Sequence, residues 1–166
     1  MLVIVSRNTY LYMSKDSCMR ISSYEYDEKS TKKEINITNV CYQTSIKNNS
    51  GKNDLALSLW EHHLTVQPKM EKIIKQFGIA LIPYLKRIPS VSLLECDFII
   101  DKNLNPHFIE INNKIGFSMD INPPDNPNMM KEIIQEIIHV GYEPLIKSRK
   151  PPLESKQWVQ CYPAKN

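Results

Sequence analysis

The stretch CDFIIDKNLNPHFIEIN, residues 96–112, sets two carboxylates and an amide where the pattern asks for hydrophobes. Asp97–Ile100 and His107–Asn112 are short runs rich in Ile and Phe, as strands are, and Lys102-Asn103-Leu104-Asn105 has the composition of a turn. Pro106 cannot donate to a strand ladder. A loop over residues 102–105 pairs 101 with 106, 100 with 107, 99 with 108, 98 with 109 and 97 with 110. Asp97 and Glu110 then lie directly opposite on one face of the hairpin, with Cβ atoms ~5 Å apart. Asn112, two residues past Glu110, points to the same face. Two carboxylates and an amide oxygen converge.

Like charges directly opposite each other destabilise a sheet, so something must offset the repulsion. One answer is a proton shared by the pair. Another is a hard divalent cation. Oxygen-only ligands suit Mg²⁺, which takes one or two carboxylates and completes its shell with phosphate oxygens and water. A third arrangement leaves both side chains at a solvated edge, paired with lysines. A register slip of one residue would undo the convergence altogether.

The elements that must position these groups sit in a chain of 166 residues, long enough for one domain with a core. Apolar residues make up 42% and charged residues 23%, an ordinary globular balance. A net charge of +3 is too small to argue for a nucleic-acid partner, and no apolar run reaches membrane-spanning length. Cys18, Cys41, Cys96 and Cys161 fit no metal or disulfide spacing and read as reduced thiols of a cytoplasmic protein. The glycine-rich phosphate loop GxxxxGK[ST], the dinucleotide fingerprint GxGxxG and the nucleophile elbow GxSxG are all missing.

LVIV at the start reads as a buried strand, NTYLYMS as a second, and a third follows the Lys15-Asp16-Ser17 turn, together a meander. Residues 23–34 form a polar, Lys-rich loop, and INITNVCYQTS opens as a short strand. Asp54 is the predicted N-cap of a helix over LALSLWEHHL. His62 and His63 on that helix face different sides and do not share a metal. Met70, Ile73, Ile74, Phe77 and Leu81 recur at helical spacing and read as core. Past the hairpin, Asn128 is the predicted N-cap of a helix whose broad apolar face holds Ile133, Ile134, Ile137 and Ile138, and Gly141 is its predicted stop. The Pro- and Lys-rich residues 147–166 are expected to be poorly ordered or draped on the surface.

Three ordered segments resemble the tubulin–tyrosine ligase family, which has an ATP-grasp fold. LLECDFIIDKNLNPHFIEINN resembles its closing metal-binding hairpin, LVIVSRNTYLYMSKDSCMRISSYEYD its strand–YLY–turn segment, and NITNVCYQTSIKNNSG its LTN segment. Together they span residues 2 to 117. The resemblance implies an α+β fold, an antiparallel sheet with helices on one face, like the C-terminal lobe of an ATP-grasp. It places that partial lobe over residues 1–146, with 147–166 as a tail.

By the same resemblance, Asp97, Glu110 and Asn112 hold the magnesium ions that bridge the ATP phosphates. Arg20 lies near the phosphates and the acceptor carboxylate, and Thr38 and Asn39 lie beside the reacting groups. Asn36 stands where the family commonly has histidine. The implied cofactors are ATP and Mg²⁺. The implied partners are a free amino acid and tubulin or another protein with an acidic tail, which would place the chain in the cytoplasm near the cytoskeleton.

The family's K.diR motif and N-terminal lobe would precede Leu2. The expectation is a ligase whose other half is supplied by a longer product or a second chain, this chain alone being inactive. The alternatives are a degenerate relative that binds nucleotide or a partner without chemistry, and an interaction domain with only the fold.

Overall fold

The computed structural model describes residues 2–5, 8–22, 24–37, 42, 54–85, 88–113 and 127–163. Its organising element is β2, Thr9–Ser14. Successive residues of a strand point to opposite faces, and in β2 both sets are apolar. Tyr10 and Tyr12 point one way and Leu11 and Met13 the other, and all four are buried at 0–6% exposure. A strand of this kind is stable only with cover on each side.

The neighbours of β2 follow from the chain order. β1, Leu2–Val5, pairs antiparallel with it from Leu2↔Tyr12 to Val5↔Thr9. β5, Ser90–Leu93, pairs antiparallel with the far side of β1. β8, Trp158–Tyr162, closes the other side of β2, giving the order β5-β1-β2-β8. The meander expected at the N-terminus stops at two strands. β3, Cys18–Arg20, leaves the sheet and pairs instead with β4, Asp54–Ala56, matching Cys18 with Ala56 and Arg20 with Asp54.

That pairing overrides the helix predicted behind Asp54. A 3₁₀ turn, Leu57–Leu59, follows β4, and α2 begins only at His63 and runs to Leu81. The Asp16 carboxylate holds this corner by accepting from Ser58 N at 3.2 Å and Ser58 Oγ at 2.9 Å. A single helical turn, α1, Lys33–Asn36, takes in Ile35 and Asn36 at the start of the strand expected there, and the rest of that stretch beyond Ile37 lies outside the described residues apart from Tyr42. His62 rests edge-on against Trp60, while Nδ1 of His63 lies 2.9 Å from the Trp60 carbonyl, so the two histidines serve different contacts.

The fold is α+β with antiparallel sheets, but its helices cover both faces of the main sheet rather than one. On one face Tyr10, Tyr12 and Trp158 pack with Met129, Ile133 and Ile137 of α3, Met129–Ile137, and with Val140. On the other, Leu11, Met13 and Cys161 pack with Ile74 of α2. Burial of each such aliphatic side chain is worth about 1.5–3 kcal/mol, so neither face of β2 is left to solvent.

Gly141 does not stop the last helix. The chain continues from α3 through a π-helical turn, Ile138–Tyr142, into α4, Glu143–Ile146. A side chain at 141 would come within 2.9 Å of Val91 Cγ1 on β5, so the glycine answers close helix–sheet approach, not chain reversal. The left-handed residue at the helix end is Ser148, φ 50°, and Arg149 N donates to the Pro144 carbonyl at 2.9 Å. Asn128 occupies the N-cap position of α3 without a side-chain capping bond.

The C-terminal tail also departs from expectation. Its WVQCY run forms β8, with Trp158 1% and Cys161 4% exposed. Residues before it are pinned as well. Lys15 N donates to the Gln157 carbonyl at 2.8 Å, Lys15 Nζ to the Ser155 carbonyl at 2.7 Å, and Gln157 Nε2 to Glu132 at 2.6 Å. The buried Tyr12 hydroxyl donates to the Pro152 carbonyl at 2.6 Å, and burial pushes its ionisation well above the ordinary phenol range. Proline and lysine content misleads here because two apolar pairs, Trp158-Val159 and Cys161-Tyr162, are enough to complete a sheet edge.

Gly78 mirrors Gly141 on the opposite face, since a Cβ there would collide with Leu11 Cδ1. Leu11 is fully buried, so its side chain can shift only against packed neighbours. Gly78→Ala is therefore expected to destabilise the chain by about 1–3 kcal/mol of overpacking, less about 1 kcal/mol gained in helix propensity. Urea unfolding checks this, with Leu11→Ala in the same background recovering part of the loss through coupling of the two sites. A more stable Gly78→Ala would show that α2 is not held at contact distance.

Candidate metal centre

β6, Glu95–Ile100, follows β5 with only Leu94 between them, so its hairpin grows directly from the edge strand of the main sheet. β7, Pro106–Asn112, returns antiparallel. The register is Ile100↔Pro106, Ile99↔His107 and Phe98↔Phe108, then Asp97↔Glu110, Cys96↔Ile111 and Glu95↔Asn112. Asp97 thus faces Glu110 as the sequence leads one to expect. The pairs nearer the turn, however, are displaced by one residue from the expected set. Two departures cancel: the turn takes in Asp101 as well as 102–105, and Ile109 is an extra residue in β7, a β-bulge.

The bulge has a packing cause. Phe108 meets Phe98 at 5.6 Å between ring centroids and Phe77 of α2 at 5.2 Å, while Ile111 and Cys96 pack into the same cluster. Phe108 and Ile111 are three residues apart and would face opposite sides of a regular strand. One inserted residue lets both reach the core. Ile109 is left 59% exposed, and Glu110 and Asn112 turn to the outer face with Asp97.

The turn is held by Asp101. Its Oδ1 accepts from Asn103 N at 2.8 Å and Asn105 N at 2.9 Å, and its Oδ2 lies 3.0 Å from His107 Nε2. These bonds, that of His107 first, hold the Asp101 carboxyl far below the usual carboxylate range. They also offset the left-handed backbone of Leu104, φ 59°. Lys69 of α2 ties the turn down by donating to the Leu104 carbonyl and to Asn105 Oδ1, both at 2.9 Å. An Asp followed by Asn two and four positions later is the sequence signal for such a turn.

On the outer face the Asn112 amide nitrogen lies 3.3 Å from Asp97 Oδ2 and 3.4 Å from Glu110 Oε1. Ionised carboxylates only accept hydrogen bonds, so the amide must present its –NH₂. The oxygen expected to converge with the carboxylates points elsewhere, and one neutral donor group bridges the two charges. Among the described residues neither Asp97 nor Glu110 is ion-paired to a lysine or arginine.

The donor set fits Mg²⁺ in kind. It offers two carboxylates and, after rotation, an amide oxygen, on a face open enough for water and phosphate to supply the remaining ligands. Among the described residues there is no group of three or more His, Cys, Asp and Glu that would cage a metal. Magnesium needs none.

Other expected site residues lie apart. Arg20 is exposed at the end of β3, and among the described residues no hydrogen bond or ion pair links it to Asp97, Glu110 or Asn112. Thr38 and Asn39 fall outside the described residues. Asn36 ends α1 and donates to the Ser30 carbonyl at 2.9 Å. Cys161 offers no nucleophile: burial first, then the Glu71 carboxylate, pushes its thiol up to about 11. A cleft of about 550 Å³ opens between β5 and α3, lined by Val91, Leu93, Ile134, Ile137, Tyr142 and Asn113 among others, and none of the described lining residues is charged.

The family model described as the tubulin-tyrosine ligase family matches residues 1–152 of the chain. No curated protein matches it.

Two outcomes follow from the hairpin. Asp97→Asn removes one of two facing charges and is expected to stabilise the cation-free chain by about 0.2–1 kcal/mol, a rise of about 0.4–4 °C in Tm. A lower Tm for the variant would mean that the carboxylate is needed structurally. Asp101 behaves oppositely. Its depressed folded-state value means that its contribution is complete above the unfolded value of about 4 and is lost as pH falls below it. Asp101→Asn, which resembles the protonated acid, should melt below wild type at pH 7. The difference should close as melting is repeated from about pH 4 down towards pH 2.

Proposed function

The chain belongs to the tubulin–tyrosine ligase family, and on that premise we propose that it serves ATP-dependent amide-bond formation between a free amino acid and a carboxylate of an acidic protein segment. A carboxylate oxygen attacks the γ-phosphorus of ATP, the bond to the bridging oxygen breaks, and ADP leaves. The amine of the amino acid then attacks the acyl carbon of the acyl phosphate. Phosphate departs with the C–O electron pair and the amine gives up a proton. Chemistry of this type asks little covalent work of the protein, and positioning and charge neutralisation dominate.

The observation that carries this reading is the outer face of the β6–β7 hairpin, where Asp97, Glu110 and Asn112 are held together by the pairing and the amide bridge. These three residues would hold Mg²⁺. The bound cation would supply the positive charge that the phosphate oxygens need. Arg20, exposed on β3, suits a carboxylate or phosphate because its planar fork donates two parallel hydrogen bonds. Thr38 and Asn39 are assigned beside the reacting groups by resemblance. The acceptor on this reading is an acidic tail such as that of tubulin, and the donor is tyrosine, glutamate or glycine. The setting is cytoplasmic.

The test is incorporation of labelled amino acid into an acidic-tailed protein by an assembly in which the family's N-terminal lobe is supplied to this chain, with ATP and with or without Mg²⁺. Incorporation should require Mg²⁺. Asp97→Asn should lower kcat/KM by about 10²-fold or more, the scale of losing one charge-stabilising group. Arg20→Lys should lose most of the activity because the fork is lost while the charge is kept. Undiminished turnover by Arg20→Lys would remove Arg20 from the site. No incorporation by wild type, together with no Mg²⁺-dependent ATP binding, would favour a relative that does no chemistry.

A further inference from the structure

The –NH₂ of Asn112 faces the two carboxylates, yet a cation bound there can be met only by its oxygen. An –NH₂ hydrogen directed at Mg²⁺ would be repelled. The amide must therefore occupy two orientations, one for each state of the site. Rotation about its terminal torsion exchanges oxygen and nitrogen with little displacement of anything else.

Rotation leaves the –NH₂ in need of an acceptor on the side away from Asp97 and Glu110. Glu95 stands directly across the ladder from Asn112. Residues so opposed have Cβ atoms about 5 Å apart. Glu95 is two residues before Asp97 on β6 and so shares its face. Among the described residues its half-buried carboxylate is in no hydrogen bond or ion pair. The same ladder thus carries an acceptor for each orientation of one amide.

We propose that Asn112 is a two-state ligand, and that Glu95 is the positioning residue that receives its –NH₂ once Asp97 and Glu110 hold a divalent cation. Without the cation, the amide bridges the carboxylates and holds them in place. With it, Glu95 fixes the amide oxygen toward the metal, as outer-shell acceptors fix the ligands of other metal sites. Glu95 need not touch the cation. This role rests on the reading of Asp97, Glu110 and Asn112 as a magnesium site.

The experiment titrates the full, isotopically labelled chain with Mg²⁺ alone and follows the side-chain –NH₂ resonances of Asn112 beside the backbone resonances of Asp97 and Glu110. In wild type all three should move together to saturation. Glu95→Ala, which has no acceptor, should weaken Mg²⁺ binding by about tenfold, the scale for loss of an outer-shell partner. Glu95→Gln keeps an acceptor oxygen without the charge and should restore most of that loss. Unchanged cation-free backbone spectra serve as the folding control.

If Mg²⁺ moves Asp97 and Glu110 but leaves the Asn112 –NH₂ where it was, the two-state role is wrong while the metal site stands. Equal weakening by Glu95→Ala and Glu95→Gln would overturn the acceptor role, since only charge would then matter. If Mg²⁺ moves none of the three, the metal reading itself falls and this proposal with it.

Discussion

Burial of β2 on both of its faces is the constraint from which the remaining architecture follows. A strand reading Tyr-Leu-Tyr-Met through its centre has no side that water can take. α2 must cover Leu11 and Met13, and α3 must cover Tyr10 and Tyr12. Both helices come close enough that a glycine marks the contact, Gly78 against Leu11 and Gly141 against Val91. The π-helical turn at Ile138–Tyr142 lies at the second of these contacts and carries the helix over the glycine expected to end it.

The hairpin inherits its place from that sheet, because β6 continues β5 with one residue between. Its inner face is then committed. Phe98, Phe108, Cys96 and Ile111 pack with the cluster around Leu11 and Ile74 or with Phe77 beside it. Asp97 and Glu110 reach the outer face because the inner face is taken and because the bulge at Ile109 changes the parity of β7 between Phe108 and Glu110. Hydrophobic packing below decides where the carboxylates stand above. The like-charge pair is tolerated because one amide donates to both members, so the outer face is arranged before any ligand arrives.

The candidate residues stand on separate elements. Asp97, Glu110 and Asn112 share one hairpin tied to α2 at its turn by Lys69 and at its base by the aromatic cluster. Arg20 stands on a separate two-stranded ladder held by Asp16 and Ser58. A substrate that engages both would bridge two small sheets whose corners are fixed by side-chain hydrogen bonds, not by continuous strand pairing.

The antiparallel α+β class was implied by the family resemblance. The sequence by itself determined the two N-terminal strands, the packing of Ile74 and Phe77 of the α2 stripe, and the facing of Asp97 and Glu110. Each rests on local composition or on a short-range period, which needs no knowledge of partners. The tertiary structure decided what depends on partners. β3 paired with β4 instead of extending the meander, because a strand's mate is chosen by packing. Gly141 became a contact point and not a stop, because what lies beside a helix is invisible in its own sequence. The C-terminal tail became β8 because β2 had an open side that WVQCY could fill. The bulge at Ile109 is the clearest case. Its existence is settled by where Phe108 and Ile111 must go, and it left the key pairing intact only because the turn was one residue longer than composition suggested. Local patterns name the groups that could do chemistry; the core underneath decides which side they face and what each one meets.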